Sequence, residues 1–216
     1  MERQTAIVQE LPHSLHHQFD IHRFLRRETG GRLLNRNDQR MILTTEDFVV
    51  GFQQALEEEV GDAAAEIMYR CGFEWGKADI NGFEKRFRTE FGKSPDEMIG
   101  GFVMEMWWWP LQAAGWGSWE YDLSHQSDGL IFVDLYESAI AKSVGNIGKV
   151  ACHYYAGMFA AVFSHLVKRD LSGIEIQCYS MGEDFCKFLI GASKRIQATQ
   201  FWVREGATAN EIISRL

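Results

Sequence analysis

The chain has 216 residues, 46% of them hydrophobic and 24% charged, with a formal net charge of −8. That is ordinary for a soluble globular protein long enough to bury a core without disulfides. The acidic balance argues against a general nucleic-acid binder, and no run of about 18 apolar residues is present to span a membrane. No secretory leader opens the sequence, which points to the cytoplasm, so the four cysteines are expected as thiols or metal ligands.

Residues 1–40 are mixed and polar, with His13, His16, His17 and His22 at spacings that fit no metal template. A solvated N-terminal extension is expected there. Met41-Ile42-Leu43-Thr44 reads as a short strand. Thr45 then caps a helix over about Glu46–Glu59, with Glu46 and Asp47 in its first turn. From Asp62 to about Phe91 one long helix or two are expected, with Gly72 and Gly76 one turn apart to admit a close neighbour and Cys71 buried. Ser94-Pro95-Asp96-Glu97 is a capping box with proline at the first helical position. The helix it opens carries Phe102, Met106 and Trp109 and ends around Pro110. Three consecutive indoles, Trp107-Trp108-Trp109, cannot all face one core, so at least one lines a cavity, an interface or the surface.

After Gly115 the period changes from helix to strand. Trp119, Tyr121 and Leu123 alternate, Ser124 to Gly129 supply a turn, and Leu130 to Leu135 form a second strand. A less regular segment holding Gly145 and Gly148 leads to a helix from Cys152 to about Lys168. A hairpin of Gly173–Cys178 and Phe185–Ile190 follows, then a tail of one or two helices broken near Gly206. Two hairpins joined into one antiparallel sheet, with helices packed on one side, make an α+β fold. The division expected is an extension over 1–40, a ligand-binding domain over 41–192 and a helical tail over 193–216.

Three of the four cysteines gather in this last part, at Cys152, Cys178 and Cys186, with Glu175 nearby. Three thiols and a carboxylate suit tetrahedral zinc. The spacing of eight between Cys178 and Cys186 is wider than a zinc knuckle, however. A regular strand would also send Glu175 and Cys178 to opposite faces, so a bulge or strand end must reorient one of them. The alternative is three unconnected buried thiols.

The pattern Cys152…Glu175-x-x-Cys178-x-x-x-Gly182-x-x-x-Cys186-x-Phe188 resembles the C-terminal signature of the 4-vinyl-reductase domain family. Tyr69-x-x-Gly72-Phe73-x-x-Gly76 is similar to a second pattern of that family, which includes the aromatic-sensing domains of phenol- and toluene-responsive bacterial activators. The resemblance implies a structural zinc held by Cys152, Glu175, Cys178 and Cys186, pinning the Cys152 helix to the last hairpin. It implies a hydrophobic pocket for a small aromatic or hydrocarbon ligand, with Trp109, Trp119, Phe132, Tyr155 and Phe159 as candidate lining. Phe132 stands where the phenol sensors usually carry tryptophan, and the histidine that holds the phenol hydroxyl has no counterpart here, which favours a larger or less polar ligand. A homodimer is implied as well.

No Gly-x-Ser-x-Gly, His-Glu-x-x-His or Gly-x-Gly-x-x-Gly occurs, nor a phosphate loop followed by Lys-Ser/Thr. Binding is therefore favoured over catalysis: a sensor or carrier with structural zinc. Two alternatives stand beside it. One is an enzyme or accessory of tetrapyrrole metabolism, with His125 or His153 as an axial ligand. The other is an interaction scaffold, since a related fold occurs in vesicle-tethering subunits.

Overall fold

The computed structural model describes residues 24–35 and 38–216. His13, His16, His17 and His22 lie outside the described residues. The described chain divides into two compact units: residues up to Thr45 with Asn81–Gly115, and Glu46–Ile80 with Trp116–Leu216. The long helix α2, defined below, contributes to both.

In the first unit, strands β1 (Leu25–Glu28), β2 (Arg32–Asn35) and β3 (Arg40–Met41) form an antiparallel sheet in that order. A β-hairpin thus occupies part of the segment expected to be solvated, and the reason is local. Gly30 and Gly31 take positive φ and close the turn, while Phe24 and Leu34 supply buried apolar groups. The strand expected at Met41–Thr44 ends at Met41, and Ile42 and Leu43 are exposed. The capping box at Ser94 forms as read, but it closes a 3-10 turn over Pro95–Glu97. Helix α3 begins later and runs Gly100–Ala113, one turn past Pro110, whose carbonyl still accepts from the N–H of Ala114. Trp107 and Trp108 are buried, whereas Trp109 is half-buried and meets Phe24 edge-on at 5.1 Å.

The second unit opens with α1 (Asp47–Val60) and the first part of α2 (Ala63–Phe91). Ala64, Met68, Gly72, Gly76 and Ile80 fall at steps of four along α2 and are all buried. Cys71 stands off that row and is exposed, contrary to the expectation of a buried thiol. The glycines explain why the row exists. A Cβ on Gly72 would lie 1.9 Å from the Tyr154 carbonyl oxygen, and one on Gly157 would lie 1.9 Å from that of Tyr69. Those partners lie on α5 (His153–Val167) and α2, which therefore touch backbone to backbone.

Strands β4 (Ser118–Asp122), β5 (Leu130–Tyr136), β6 (Ser172–Gln177) and β7 (Cys186–Gly191) form one antiparallel sheet in the order β4-β5-β7-β6. The two hairpins join through β5 and β7, with Phe132 opposite Leu189 and Leu135 opposite Cys186. Alternation sends Phe188 toward α5, where it meets Phe159 at 5.1 Å. The opposite face carries Leu130, Phe132, Ile176 and Leu189 against Ile196 and Ile212. Those last two belong to α6 (Ser193–Arg204) and α7 (Ala209–Ile213), separated at Gly206 with φ 78°. Helices therefore cover both faces rather than one. The arrangement is α+β, with an antiparallel sheet of two hairpins packed by helices.

Candidate functional site

Cys152 is the residue from which α5 starts, and Cys186 is the first residue of β7. Glu175 lies in β6, and Cys178 follows that strand in extended conformation before a 3-10 turn over Tyr179–Met181. The parity problem posed by Glu175 and Cys178 is resolved by a register shift. Glu175 pairs with Phe188 but Gln177 pairs with Lys187, so two steps on β6 match one on β7. The extra residue is a bulge, and it returns Cys178 to the face that Glu175 occupies.

The result is a buried cluster of Cys152, Glu175, Cys178 and Cys186 whose ligand atoms all lie within 4.8 Å of one another, a set able to hold a metal ion. Cys186 Sγ is 3.8 Å from Cys152 Sγ and 3.6 Å from Cys178 Sγ. Glu175 Oε2 accepts hydrogen bonds from the N–H groups of Ala151 (3.1 Å) and Cys152 (2.7 Å). Its other oxygen, Oε1, is buried with no hydrogen-bond partner among the described residues. An orphaned carboxylate oxygen beside three thiols is costly unless something cationic meets it.

The electrostatics agree. Burial pushes the Glu175 carboxyl and the Cys152 thiol well above their ordinary values. The Cys178 thiol is pulled down by its contacts with Cys152 and then Cys186. One negative charge is thus accommodated and a second is resisted, as expected where like charges share a dry site. A divalent cation reverses that balance, because a coordinated thiol is deprotonated outright.

Two buried hydroxyls touch the sulfurs, and reading the sequence for ligands passed over both. Ser138 Oγ lies 3.3 Å from Cys152 Sγ and also caps α4 (Ala139–Val144) through the N–H of Ala141. That helix occupies the segment taken as irregular. A serine ahead of Ala139-Ile140-Ala141 was a legible start signal. Ser180 Oγ lies 2.9 Å from Cys178 Sγ and 2.6 Å from the Lys149 carbonyl oxygen, and its single proton serves one of them at a time. No local pattern marks Ser180.

The five aromatic candidates do not gather in one place. Trp119, Tyr155 and Phe159 meet between the sheet and α5, with ring centroids of Trp119–Phe159 at 6.0 Å and Tyr155–Phe159 at 6.2 Å, both stacked. The Tyr155 hydroxyl donates to the Trp116 carbonyl at 2.6 Å. Phe132 lies on the opposite face of the sheet, where His125 approaches its ring at 5.5 Å. Trp109 belongs to the other unit. His153 follows Cys152, and burial holds its imidazole below the ordinary value. A cleft of about 900 Å³ in the second unit is lined by Glu66, Tyr69, His153, Glu175, Gln197 and Arg204 among others, and by none of the five aromatics.

Among the described residues no helix is long and apolar enough to cross a membrane. Two uncharacterized proteins of Methanocaldococcus jannaschii are similar to part of the chain. One is 28% identical over 60 residues (28% of this chain, 32% of that protein), and the other 27% over 62 residues (29% and 38%). The matched region therefore spans about a third of the length of these curated relatives. The crystal structure of the phenol-responsive sensory domain of the transcription activator PoxR with phenol superposes with a TM-score of 0.61. It does so at 19% identity, over 80% of this chain and 87% of that one. A vinyl-4-reductase family protein of Methanocaldococcus jannaschii aligns with a TM-score of 0.42 at 14% identity, covering 66% and 75%. The segment that holds Glu175, Cys178 and Cys186 is identified more directly: residues 131–192 match the 4-vinyl-reductase domain, and they sit in a fold shared with the PoxR sensory domain.

Proposed function

We propose that this chain is a binding module, a sensor or carrier, for a small aromatic or hydrophobic molecule, built around a structural zinc. The observation that carries the reading is the buried cluster of Cys152, Glu175, Cys178 and Cys186, with Glu175 Oε1 left unpartnered. The fit to zinc is quantitative. Zn–S bonds of about 2.3 Å in a tetrahedron set sulfurs about 3.8 Å apart, and the observed separations are 3.6 and 3.8 Å. Glu175 Oε1 is the fourth ligand, and the backbone donors on Oε2 hold the carboxylate in place. Four protein ligands close the site, so the metal is structural and leaves no position for a substrate. It ties the start of α5 to β6 and β7.

Ligand binding is supported by likeness to the PoxR domain, solved with phenol, and by the aromatic group on α5. Trp119, Tyr155 and Phe159 are the proposed contacts, with Trp109 and Phe132 as the outlying candidates. Flat rings there give a planar ligand a large contact area with few rotamers to freeze. A second seat is favoured by one observation: the cleft's volume of about 900 Å³ falls in the range of small-molecule pockets.

Titrating the metal-loaded chain with phenol and larger alkylphenols, read by tryptophan fluorescence, tests the reading. Saturable binding that Trp119→Ala weakens and Gln197→Trp leaves intact supports the aromatic seat. The reverse pattern moves the ligand to the cleft, and no saturable change with any of these probes counts against aromatic binding.

A further inference from the structure

We propose that the outer face of α1 docks a basic amphipathic helix of a partner protein. At 100° per residue, Phe48, Phe52, Ala55 and Glu59 fall on one side of α1, opposite the buried Val50 and Gln53. Phe48 and Phe52 are 53% and 58% exposed and pack against each other edge-on at 5.0 Å. Further exposed apolar groups, Val60 and Ile67, follow where α1 passes into α2. The ring pair stands in a one-sided field. Residues 46–69 hold Glu46, Asp47, Glu57, Glu58, Glu59, Asp62 and Glu66 and no Lys, Arg or His. Among the described residues only Glu57 of these acids has an ion-pair partner, Lys149 at 3.7 Å.

Charge complementarity selects the occupant. A second copy of the chain would set the same acids against themselves, since a twofold interface places one patch on both sides. An anionic membrane surface is opposed for the same reason. A helix with an apolar stripe to cover Phe48 and Phe52 and flanking Lys or Arg to meet the acids satisfies both features. Fourteen residues of α1 give a face about 21 Å long, enough for roughly four turns of a partner helix. The face is separate from the thiol cluster, so this inference stands apart from the zinc reading.

The test uses the full metal-loaded chain and a labelled amphipathic Leu/Lys helical peptide. A peptide of identical composition, scrambled to destroy the stripe, is the control. Fluorescence anisotropy should show saturable one-to-one binding of the first peptide, weakened by salt. Affinity should fall by about tenfold or more in Phe48→Ser/Phe52→Ser and in Ala55→Arg, an exposed site where folding is not at stake. Circular dichroism checks that each variant is folded. Equal binding of both peptides, or wild-type binding by folded Ala55→Arg, overturns the proposal. So does a concentration-dependent dimer that Ala55→Arg abolishes, which assigns the face to a second copy. Wild-type binding to anionic vesicles that Ala55→Glu abolishes assigns it to a membrane surface and overturns the proposal equally.

Discussion

Glu175 does two jobs with two oxygens. Oε2 is spent on the N–H groups of Ala151 and Cys152, which fixes the carboxylate against the first turn of α5, and Oε1 is left facing the thiols. Under the zinc reading, Glu175→Ala removes a ligand and strands two buried donors together, so metal affinity and stability should fall in parallel. Denaturant melts of the loaded and chelated forms check that. Ser180 acts at one remove, through a hydroxyl 2.9 Å from Cys178 Sγ. Ser180→Ala should retain the fold and lower zinc affinity about 10- to 100-fold, the range for partners that orient a ligand. Competition with a chromogenic chelator measures it, and unchanged affinity would make Ser180 a packing residue only.

At the scale of elements, the contact between α2 and α5 has the least tolerance. Gly72 and Gly157 each bring a main chain to where a Cβ would sit 1.9 Å from a carbonyl oxygen. No side-chain rotation relieves such an overlap, so Gly157→Ala should destabilise by about 3 kcal/mol or more, whereas Gly206→Ala meets open space and strains only its own positive φ. Chemical denaturation separates the two. The last helix, α7, depends on its start. Thr208 and Glu211 form a capping box, and Thr208→Ala should cost about 1 kcal/mol. Hydrogen bonds from Thr208 hold the exposed Glu211 carboxyl below its ordinary value. Its contribution is therefore present above the usual carboxylate range and fades as pH falls through the folded value, a trend that an acid titration of stability in wild type and Thr208→Ala should show.

At the scale of the whole molecule, the elements best read from sequence were those whose period is unmistakable. Alternation in β4 and β5, and the runs flanking Gly182, placed both hairpins, and Gly72 and Gly76 announced the close approach of α5. The four ligand positions were legible as residue types, but their convergence depends on a bulge between Glu175 and Gln177 that no local propensity encodes. The N-terminal hairpin was hidden by its polar strands, and Trp109 shared a helical period with core residues while belonging to a different unit. Phe132 was missed in another way. One step of strand parity decides which sheet face a residue serves, and it lies opposite Tyr155 and Phe159. The central claim is that the three thiols and Glu175 hold one zinc. Native mass spectrometry of freshly purified chain tests it most directly. The account predicts one zinc per chain, lost in Cys178→Ser and in Cys186→Ser. A folded chain that carries no zinc and takes none up when it is supplied, with all three buried thiols free to react on unfolding, would contradict it.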